Sequence, residues 1–383
     1  MKNIIYFSFV DWFWIKQRPH HFAELLSEKY HVDFICTQSW KKNSNVINSH
    51  SDDKNNLSKN KFRVNDNLTI YRKKMIPKER KYSFIRKINN ETIMKPFLYK
   101  LDKKNNYDTV ILSYPLQYEY IDNDLFINKK IIYDCMDNYK EFNGVASEEL
   151  QKSEANLVKR ADLIIVSSDK LKEVLVLNYP NIDDKIKVIN NGVDIIHFDV
   201  NKTQKSSGLI IKNKYKKIGY IGTISDWVDL DLIEKVTNEV ENIEFYMIGP
   251  KESHLDITKY LENPKLIFTG SIPYSKIPGI IKEMDVLIMP FVVNDVVESV
   301  NPVKIYEYLA MGKQIVATKY KETEKFKDLI ELYHSGDYND FINKINKVLT
   351  KINESDSIQK KIDFAEKNSW QSRIDAFCKI VDN

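Results

Sequence analysis

The chain has only 10 glycines among 383 residues, and none of them lies in the first 143. Nicotinamide-dependent dehydrogenases need a G-x-G-x-x-G turn between a strand and a helix, because the backbone must approach the pyrophosphate closely. That pattern occurs nowhere in the sequence, and neither does the G-x-x-x-x-G-K-[S/T] loop of P-loop enzymes. These absences argue against a dinucleotide-dependent oxidoreductase and against a P-loop nucleotidase.

Cysteines and long apolar runs are also scarce. The three cysteines, Cys36, Cys135 and Cys378, are too few and too scattered for a disulfide framework or a C-x-x-C metal pair. No run of about 18 apolar residues occurs, so no membrane-spanning helix is expected. The N-terminus lacks the features of a signal peptide. We therefore expect a cytoplasmic location.

The net charge of +4 is small, and no helix shows a sustained basic stripe, so no nucleic-acid partner is expected. The charge is unevenly placed, however. Residues 72–104 hold twelve Lys or Arg and only three acids, with aromatic residues between them. This segment is either a solvated insertion or a patch for anionic lipid headgroups. The second interpretation predicts a peripheral contact with the inner face of the plasma membrane.

Short apolar runs alternate with amphipathic stretches along the chain. The runs predict strands at 3–9, 32–36, 108–113, 130–134, 162–167, 186–189, 217–221, 243–248, 265–269, 285–290 and 314–318. The amphipathic stretches predict helices at 19–29, 147–160, 229–240, 275–283, 302–311 and 338–351. Because several runs are apolar throughout, they suit strands buried on both faces of a parallel sheet.

The polar segment 200–216 interrupts this alternation and predicts a linker. We expect two doubly wound, Rossmann-like α/β domains facing a central cleft. The N-terminal domain would span 1–195, with a C-terminal helix at 366–383 packing back on it, and the second domain would span 206–365. A hinge is expected near 192–210, and the polar segment 40–66 is predicted to be a loop. Ligands of open α/β sheets bind beyond the carboxyl ends of the strands.

The most informative strand end precedes the predicted helix at 302–311. Asn301 suits the N-cap, Pro302 the first helical position and Gly312 the position just past the helix end. Lys304 and Glu307 are three residues apart and therefore share a face. A helix amino terminus with a lysine is an anion site, and a carboxylate one turn deeper can accept hydrogen bonds from ribose hydroxyls. The alternative is an ordinary surface Lys–Glu pair.

Three other segments follow predicted strands. Residues 219–227 contain a glycine turn that would let the backbone approach phosphate, with Gly222 and Thr223 as candidates. Asn191-Gly192 favours a turn at the domain junction. Asp134 ends the predicted strand at 130–134 and Asp137 follows it; both could act as acid or base, although Asp134 could instead cap the following loop.

The segment 12–21, WFWIKQRPHH, follows the first predicted strand. Its tryptophans either stack on sugars or belong to the core. Arg18 and Gln17 are expected just before a helix starting at Pro19, where they can reach the cleft. His20 and His21 would lie in the first helical turn, whose dipole favours neutral imidazoles. His20 could simply be solvated and His21 could simply pack.

Taken together, these segments resemble the GT-B glycosyltransferases, especially the family-4-like enzymes that build bacterial surface polysaccharides. The resemblance is spread along the chain, at 159–168 (KRADLIIVSS), 188–198 (VINNGVDIIHF), 307–318 (EYLAMGKQIVAT) and Ser369-Trp370. A closer resemblance is to the teichuronic-acid glycosyltransferase-like subgroup. It lies at 14–21 (WIKQRPHH), at 133–137 (YDCMD), at 219–227 and in the P-x-K-x-x-E-Y pattern of 302–308.

The resemblance implies a role for each matching residue. Glu307 would bind the donor ribose, and Lys304 with the 299–303 backbone, including Ser299, Val300 and Asn301, would bind the diphosphate. The loop with Gly222, Thr223 and Trp227 would lie beside the nucleotide. Glu298 stands near the place of a sugar-contacting glutamate, although eight residues separate it from Glu307 where the family usually has seven. The acceptor side would include Trp14, Gln17, His20 and His21.

We therefore predict a glycosyltransferase that moves a sugar from a nucleoside-diphosphate sugar to a glycan or polyprenyl-linked acceptor in bacterial surface polysaccharide biosynthesis. The resemblance implies retention of anomeric configuration, no metal and no bound cofactor, with a UDP-sugar favoured as co-substrate. Asp137, Arg18 and Lys304 are the expected catalytic residues. The alternatives are a nucleotide-sugar 2-epimerase of the same architecture and a non-catalytic subunit that binds nucleotide sugar or glycan.

Overall fold

The computed structural model describes residues 1–38, 55–79, 81–141, 147–205, 208–350 and 355–382. The chain divides into two compact units, the first comprising Met1–Asn190 and Ile374–Asn383 and the second Asn191–Arg373. Parts of several predicted features lie outside the described residues: 40–54 of the loop, Arg80 of the basic segment, 206–207 of the linker and hinge, Lys351 of the helix at 338–351 and Asn383 of the C-terminal helix. Within the described part of the chain, no helix is long and apolar enough to cross a membrane.

The first unit is built on eight strands. They are β1 Asn3–Phe7, β2 His31–Gln38, β3 Lys61–Asn65, β4 Leu68–Lys74, β5 Thr109–Leu112, β6 Lys130–Cys135, β7 Leu163–Val166 and β8 Ile186–Val188. Their order in the sheet is β3-β4-β2-β1-β5-β6-β7-β8. All neighbours pair in parallel except β3 and β4, which are antiparallel. The central strands are buried on both faces, as the apolar runs predict.

The prediction of a loop over 40–66 is wrong at its carboxyl end. Residues 61–65 form β3, which pairs with β4 from Lys61↔Tyr71 onward. Only Phe62 of this strand is buried, and the other four residues are exposed. An edge strand tolerates such a polar composition, and charged residues there discourage pairing with other chains. Because most residues of β3 are polar, the pattern of apolar residues did not identify this strand.

The helices of the first unit cover this sheet. They are Arg18–Leu26, Ser83–Asn89, Lys95–Asn105, Tyr118–Ile121, Ser147–Arg160 and Asp169–Asn178, together with the part of Trp370–Asp382 that begins at Ile374. A π-helical turn, Asn90–Met94, joins the second and third of them. The C-terminal helix contacts the first helix through Phe377 and Phe22, whose ring centroids are 5.5 Å apart.

The second unit is built on six parallel strands. They are β9 Lys216–Ile221, β10 Ile243–Ile248, β11 Leu266–Gly270, β12 Val286–Met289, β13 Gln314–Thr318 and β14 Glu331–Tyr333. Their order is β11-β10-β9-β12-β13-β14. The helices are Leu230–Glu239, Ile277–Glu283, Asp295–Ser299, Val303–Ala310, Tyr338–Thr350 and Ser355–Lys367, and Trp370–Asp382 starts in this unit. The doubly wound α/β architecture predicted from the alternation is confirmed in both units.

A buried ion pair joins the first helix to β6. Arg18 Nε donates to Oδ1 of Asp134 at 2.9 Å, and Arg18 Nη1 donates to the carbonyl oxygen of Ile189 at 2.8 Å. The Tyr6 hydroxyl donates to Oδ2 of Asp134 at 2.8 Å. Arg18 is 3% exposed and Asp134 0% exposed. Because the two charges neutralise each other and are hydrogen-bonded, the pair ties together the helix, β1, β6 and the segment after β8.

Replacing Arg18 is therefore expected to destabilise the protein. Arg18→Met leaves the Asp134 carboxylate buried without its counter-charge, and we expect the free energy of unfolding to fall by about 3–5 kcal/mol. Urea denaturation of the full chain measures this loss. As a matched control, Lys95→Met breaks an exposed pair with Glu91, 3.2 Å apart, and should change stability by less than about 0.5 kcal/mol. Equal losses in both variants would contradict the structural role of Arg18.

Candidate functional site

The strand order of the second unit reverses between β9 and β12, and ligands of open parallel sheets bind at the carboxyl ends beside such a reversal. Gly222 follows β9 directly, and its N–H donates to the carbonyl oxygen of Ile248 at 2.9 Å. Gly249 follows β10 with φ of +144°, and a Cβ there would collide with the carbonyl oxygen of Gly222. Glycine at 249 therefore allows the two strand ends to meet.

The loop after β9 is held against the segment that follows β12. The N–H of Val292 donates to the carbonyl oxygen of Trp227 at 2.8 Å, and the N–H of Asp229 donates to that of Pro290 at 2.9 Å. The Trp227 side chain is partly buried against the apolar core of this unit. The structure thus brings the predicted nucleotide loop, with Gly222, Thr223 and Trp227, to the start of the segment that leads to 298–304.

The helix Val303–Ala310 begins one residue later than predicted, with Pro302 at its N-cap. The prediction that Asn301 is the N-cap is therefore wrong. Asn301 is buried, its Oδ1 accepts the N–H of Asn191 at 2.9 Å, and its Nδ2 donates to Oε2 of Glu322 at 2.9 Å. These contacts fix the backbone that leads into the helix. Gly312, with φ of +66°, ends the helix as predicted.

Lys304 and Glu307 lie on this helix and contact each other. The Lys304 Nζ is 2.8 Å from Glu307 Oε2, and the Glu307 side chain is 5% exposed while that of Lys304 is 29% exposed. The alternative of an ordinary surface pair is wrong, because the carboxylate is buried. The hydroxyl of Tyr308 accepts the N–H of Ile221 at 3.1 Å, which anchors the helix to the end of β9.

This arrangement can hold an anion. The first N–H groups of a helix have no partner within the helix, and its dipole favours negative charge there. Lys304 adds a full positive charge in the first turn. Glu307 adds a buried hydrogen-bond acceptor one turn deeper. A phosphate group at the helix end and hydroxyl groups at the carboxylate would therefore both be satisfied.

Glu298 and Ser299 end the short helix Asp295–Ser299, and Val300 follows it at its C-cap. The Ser299 hydroxyl donates to the carbonyl oxygen of Asp295 at 3.2 Å, and the Val300 carbonyl accepts from the Tyr320 hydroxyl at 3.2 Å. Both groups therefore take part in contacts within the unit. Glu298 is partly buried, and its contact with the donor sugar stays a prediction.

The segment 12–21 is more buried than predicted. The helix starts at Arg18, so Arg18 lies within it rather than before it. His20 Nδ1 accepts the N–H of Gln17 at 3.1 Å, and Nε2 donates to the carbonyl oxygen of Asp11 at 3.2 Å. Burial lowers the pKa of His20 to about 4, so the imidazole is neutral, as predicted, with burial as the main cause. A solvated His20 is ruled out, because it is 2% exposed.

The other predicted acceptor-side residues differ in exposure. Trp14 and Gln17 are exposed, whereas His21 is 5% exposed. Trp12 is partly buried and meets Phe34 edge-on, with ring centroids 5.0 Å apart. The two tryptophans therefore have different surroundings: Trp12 packs in the interior, and Trp14 is 36% exposed.

Three aromatic residues that the sequence analysis did not single out lie just after strands of the first sheet, whose order reverses between β1 and β5. Phe9 stacks on Tyr114 with ring centroids 4.2 Å apart, and Tyr139 meets Tyr114 edge-on at 5.0 Å. The Tyr139 hydroxyl donates to the carbonyl oxygen of Ser113 at 2.7 Å. The signal was present in the sequence, because each aromatic residue closely follows an apolar run.

Asp137 lies beside this aromatic cluster, and its carbonyl accepts the N–H of Tyr139 at 3.0 Å. Burial raises the pKa of the Asp137 carboxyl group to about 6, although the side chain keeps some exposure. Asp134, the other carboxylate considered as an acid or base, is engaged by Arg18 and Tyr6 instead. Asp137 is thus the carboxyl group of this segment whose ionisation lies near neutral pH.

Among the residues that the structure describes, Asp226, Glu252 and His254 form one group whose possible metal-ligating atoms all lie within 4.8 Å of one another. His254 Nε2 is 2.8 Å from Asp226 Oδ2, and this hydrogen bond raises the pKa of His254. Asp226 and His254 are both exposed. The contacts are those of a surface ion pair, and we assign no ion to them.

The raised pKa of Asp137 predicts a pH-dependent cost to stability. Well below pH 3.8 the carboxyl group is protonated in both folded and unfolded chains, and above about pH 6 the folded chain carries a desolvated carboxylate. Asp137→Asn should therefore stabilise the protein by about 1–2 kcal/mol above pH 6, after allowance for partial exposure. The gain should be much smaller near pH 4, close to the ordinary pKa of 3.8, and should vanish below it. Urea denaturation at pH 4, 6 and 8 measures it, with the exposed Asp66→Asn as control, and a gain independent of pH would contradict the assignment.

Comparison with known proteins finds a family match within the second unit. Residues 215–351 match the family model described as "Glycosyl transferases group 1". The chain is also 26% identical over 253 residues to "Putative teichuronic acid biosynthesis glycosyltransferase TuaH" of Bacillus subtilis (strain 168). That match covers 63% of this chain and 64% of the relative, slightly less than two thirds of the relative's length.

Solved structures match the fold over the whole chain. Sucrose-phosphate synthase from Thermosynechococcus elongatus superposes with a TM-score of 0.75 at 12% identity, over 100% of this chain and 98% of that one. HepE of Anabaena in complex with UDP-glucose superposes with a TM-score of 0.71 at 13% identity, over 100% of both chains. The predicted GT-B fold is confirmed, and residues 215–351 match the group 1 glycosyltransferase family.

Proposed function

We propose that the protein transfers a sugar from a nucleoside-diphosphate sugar to a glycan or polyprenyl-linked acceptor in bacterial surface polysaccharide biosynthesis. The second unit would bind the donor, with UDP-sugars favoured, and the first unit would bind the acceptor. The reaction would retain the anomeric configuration and need no metal, and it would take place in the cytoplasm at the inner face of the plasma membrane. The observation that carries the proposal is the Lys304–Glu307 pair at the amino end of the helix Val303–Ala310.

The geometry of that pair supports donor binding. A partly exposed ammonium group and a helix amino terminus are suited to a diphosphate, and the buried Glu307 carboxylate is suited to the vicinal hydroxyls of ribose. The glycine turn at 222 lies at the end of β9, to which the same helix is anchored by Tyr308. Backbone without side chains at this turn would leave room for the nucleotide.

The same groups would assist bond cleavage. As the bond between sugar and diphosphate breaks, negative charge grows on the leaving diphosphate. The helix amino terminus and Lys304 are fixed donors that stabilise this charge. Asp137, whose pKa burial raises to about 6, would accept a hydrogen bond from the attacking acceptor hydroxyl. Trp14, Gln17 and His21 would contact the acceptor.

Relatives support the choice of nucleotide and pathway. Solved structures of the Anabaena protein HepE are described as complexes with UDP and with UDP-glucose. TuaH is described as a teichuronic acid biosynthesis glycosyltransferase. These descriptions favour a UDP-sugar donor and a cell-envelope polysaccharide as the product.

A transfer assay tests the proposed reaction. The purified chain is incubated with radiolabelled UDP-sugars and a lipid extract that supplies polyprenyl-linked saccharides, and incorporation of label into the lipid fraction is measured. Incorporation that depends on the extract supports transfer. Conversion of the donor without any acceptor would favour the epimerase, and donor binding without turnover would favour a non-catalytic subunit.

Substitutions at 304 and 307 test the donor site. Lys304→Ala removes a charge-assisted contact with phosphate, and Glu307→Gln removes the charged acceptor for ribose. Each should weaken UDP binding by roughly 10- to 100-fold, because hydrogen bonds to charged groups contribute about 1.5–3 kcal/mol. Isothermal titration calorimetry measures the dissociation constant, and circular dichroism checks that each variant is folded.

The control is Lys202→Ala, in the same unit. Lys202 also pairs with a carboxylate three residues away, Asp199, at 2.9 Å, but it is 81% exposed. Its replacement should leave UDP affinity unchanged. Wild-type affinity in folded Lys304→Ala and Glu307→Gln variants would refute the site.

A further inference from the structure

The helix Ser83–Asn89 in the first unit has an inverted polarity. Its buried residues are Arg86 and Asn89. The apolar side chains of Phe84 and Ile88 are 62% and 43% exposed. These two residues are four apart and therefore lie on the same face. A helix of a water-soluble protein normally turns its apolar stripe towards the core. This helix instead exposes its apolar side chains and buries its polar ones.

The polar side chains on the inward face of this helix make several hydrogen bonds, so the inverted orientation of the helix is part of the fold. Arg86 Nε donates to Glu119 Oε1 at 2.7 Å, and Arg86 Nη2 donates to Glu149 Oε2 at 2.9 Å. Asn89 exchanges two hydrogen bonds with the backbone of Ile76, at 2.8 and 3.0 Å. Turning Phe84 inward would break all of these contacts. The exposed apolar face is therefore a stable feature of the surface.

More apolar surface adjoins this helix. Ile76, tied to Asn89, is 37% exposed, and Tyr82 is 39% exposed with its ring centroid 5.9 Å from that of Phe84. Ile76, Tyr82, Phe84 and Ile88 are four of the sixteen large apolar side chains that are exposed in the described part of the chain. They fall within 13 consecutive positions, and such a concentration usually marks an interaction site.

The surface around these side chains is positive. Four exposed lysines lie within this stretch or just before it: Lys74, Lys78, Lys81 and Lys87. Its acidic residue, Glu79, is partly buried, and its Oε2 accepts from Asn89 Nδ2 at 2.6 Å. The charge of Arg86 is paired internally with Glu119 and Glu149. We call the surface formed by the four apolar side chains and the four lysines the 74–88 face.

We propose that the 74–88 face docks the protein on an anionic lipid bilayer. Exposed apolar side chains interspersed with exposed lysines suit the boundary between acyl chains and negatively charged headgroups, where the lysines stay in the polar layer and the aromatic and aliphatic groups enter below it. The exposed charges match those of anionic lipids, which attract nearby Lys and Arg. This docking does not depend on the proposed sugar transfer.

Vesicle binding tests the proposal without donor or acceptor. The full chain is sedimented with vesicles of phosphatidylcholine containing about one third phosphatidylglycerol, at low salt of about 0.05 M and at about 0.5 M, where charges are screened. Binding is expected to the anionic vesicles at low salt, weaker binding at high salt, and little binding to phosphatidylcholine alone. No binding to anionic vesicles at low salt would overturn the proposal.

Two pairs of variants locate the contact. Lys81→Glu/Lys87→Glu should lower the binding constant at least about 30-fold, since each lysine contributes about a fivefold gain near an anionic surface. Phe84→Ser/Ile88→Ser should lower it at least about tenfold, because apolar contact with the bilayer is lost. Matched controls elsewhere in the first unit are Lys152→Glu/Lys159→Glu, which are exposed lysines, and Leu177→Ser, where leucine is 85% exposed.

The binding constants of the control variants for vesicles should stay closer to the wild-type value than those of the test variants. Equal loss in the control and test variants would overturn the assignment of the 74–88 face. A second outcome would also overturn the membrane proposal: the wild type is a dimer, the Phe84→Ser/Ile88→Ser variant is a monomer, and neither protein binds vesicles. That result would favour a protein partner for the 74–88 face. Sugar transfer to a water-soluble acceptor should be unchanged in all of these variants, so failure of docking and failure of the transferase proposal are distinguishable.

Discussion

The close contact between the backbones at Gly222 and Gly249 is the constraint on which the candidate donor site depends. A side chain at 249 would strike the Gly222 carbonyl and separate the ends of β9 and β10. The loop after β9 is hydrogen-bonded to Pro290 and Val292. Displacement of the β9 end would therefore also displace this loop relative to those two residues. Tyr308 ties the lysine-bearing helix to Ile221, one residue before the turn. The positions of the strand ends and loops, which are set by these backbone contacts, therefore determine where the site lies.

The Arg18–Asp134 and Lys304–Glu307 ion pairs differ in what they can do. Arg18 and Asp134 are both fully buried, so a ligand that drew Arg18 away would leave a buried carboxylate uncompensated, which costs several kcal/mol. Lys304 is 29% exposed and can approach a phosphate while it remains near Glu307. The predicted catalytic role of Arg18 thus carries a large energetic penalty, whereas that of Lys304 does not. Arg18 is better placed to hold the first unit together.

The sequence was sufficient for features that depend on local pattern. Apolar runs located most strands, and three-residue spacing placed Lys304 and Glu307 on one face. Features that depend on residues distant in sequence were missed. Arg18 and Asp134 form an ion pair although 116 positions separate them in the sequence. Asn301 does not cap the helix, because its side chain bonds to Asn191 and Glu322 instead. β3 escaped detection because an edge strand has little need of apolar residues. The roles of Glu298, Trp14 and His21 depend on ligands and stay predictions.

The π-helical turn Asn90–Met94 separates two helices that bury opposite kinds of side chain. Before it, Arg86 and Asn89 point inward, and after it Leu98 and Leu101 do. The N–H of Lys95 bonds to the carbonyl of Asn90, five residues back, so the turn holds one residue more than an α-helix would. Each residue of an α-helix turns the chain by about 100°. Loss of a single residue here would let the turn close to an ordinary α-helical turn, whereas loss of a residue within either flanking α-helix would rotate the parts on its two sides by about 100°. A single deletion should therefore be tolerated better at this turn than in those helices.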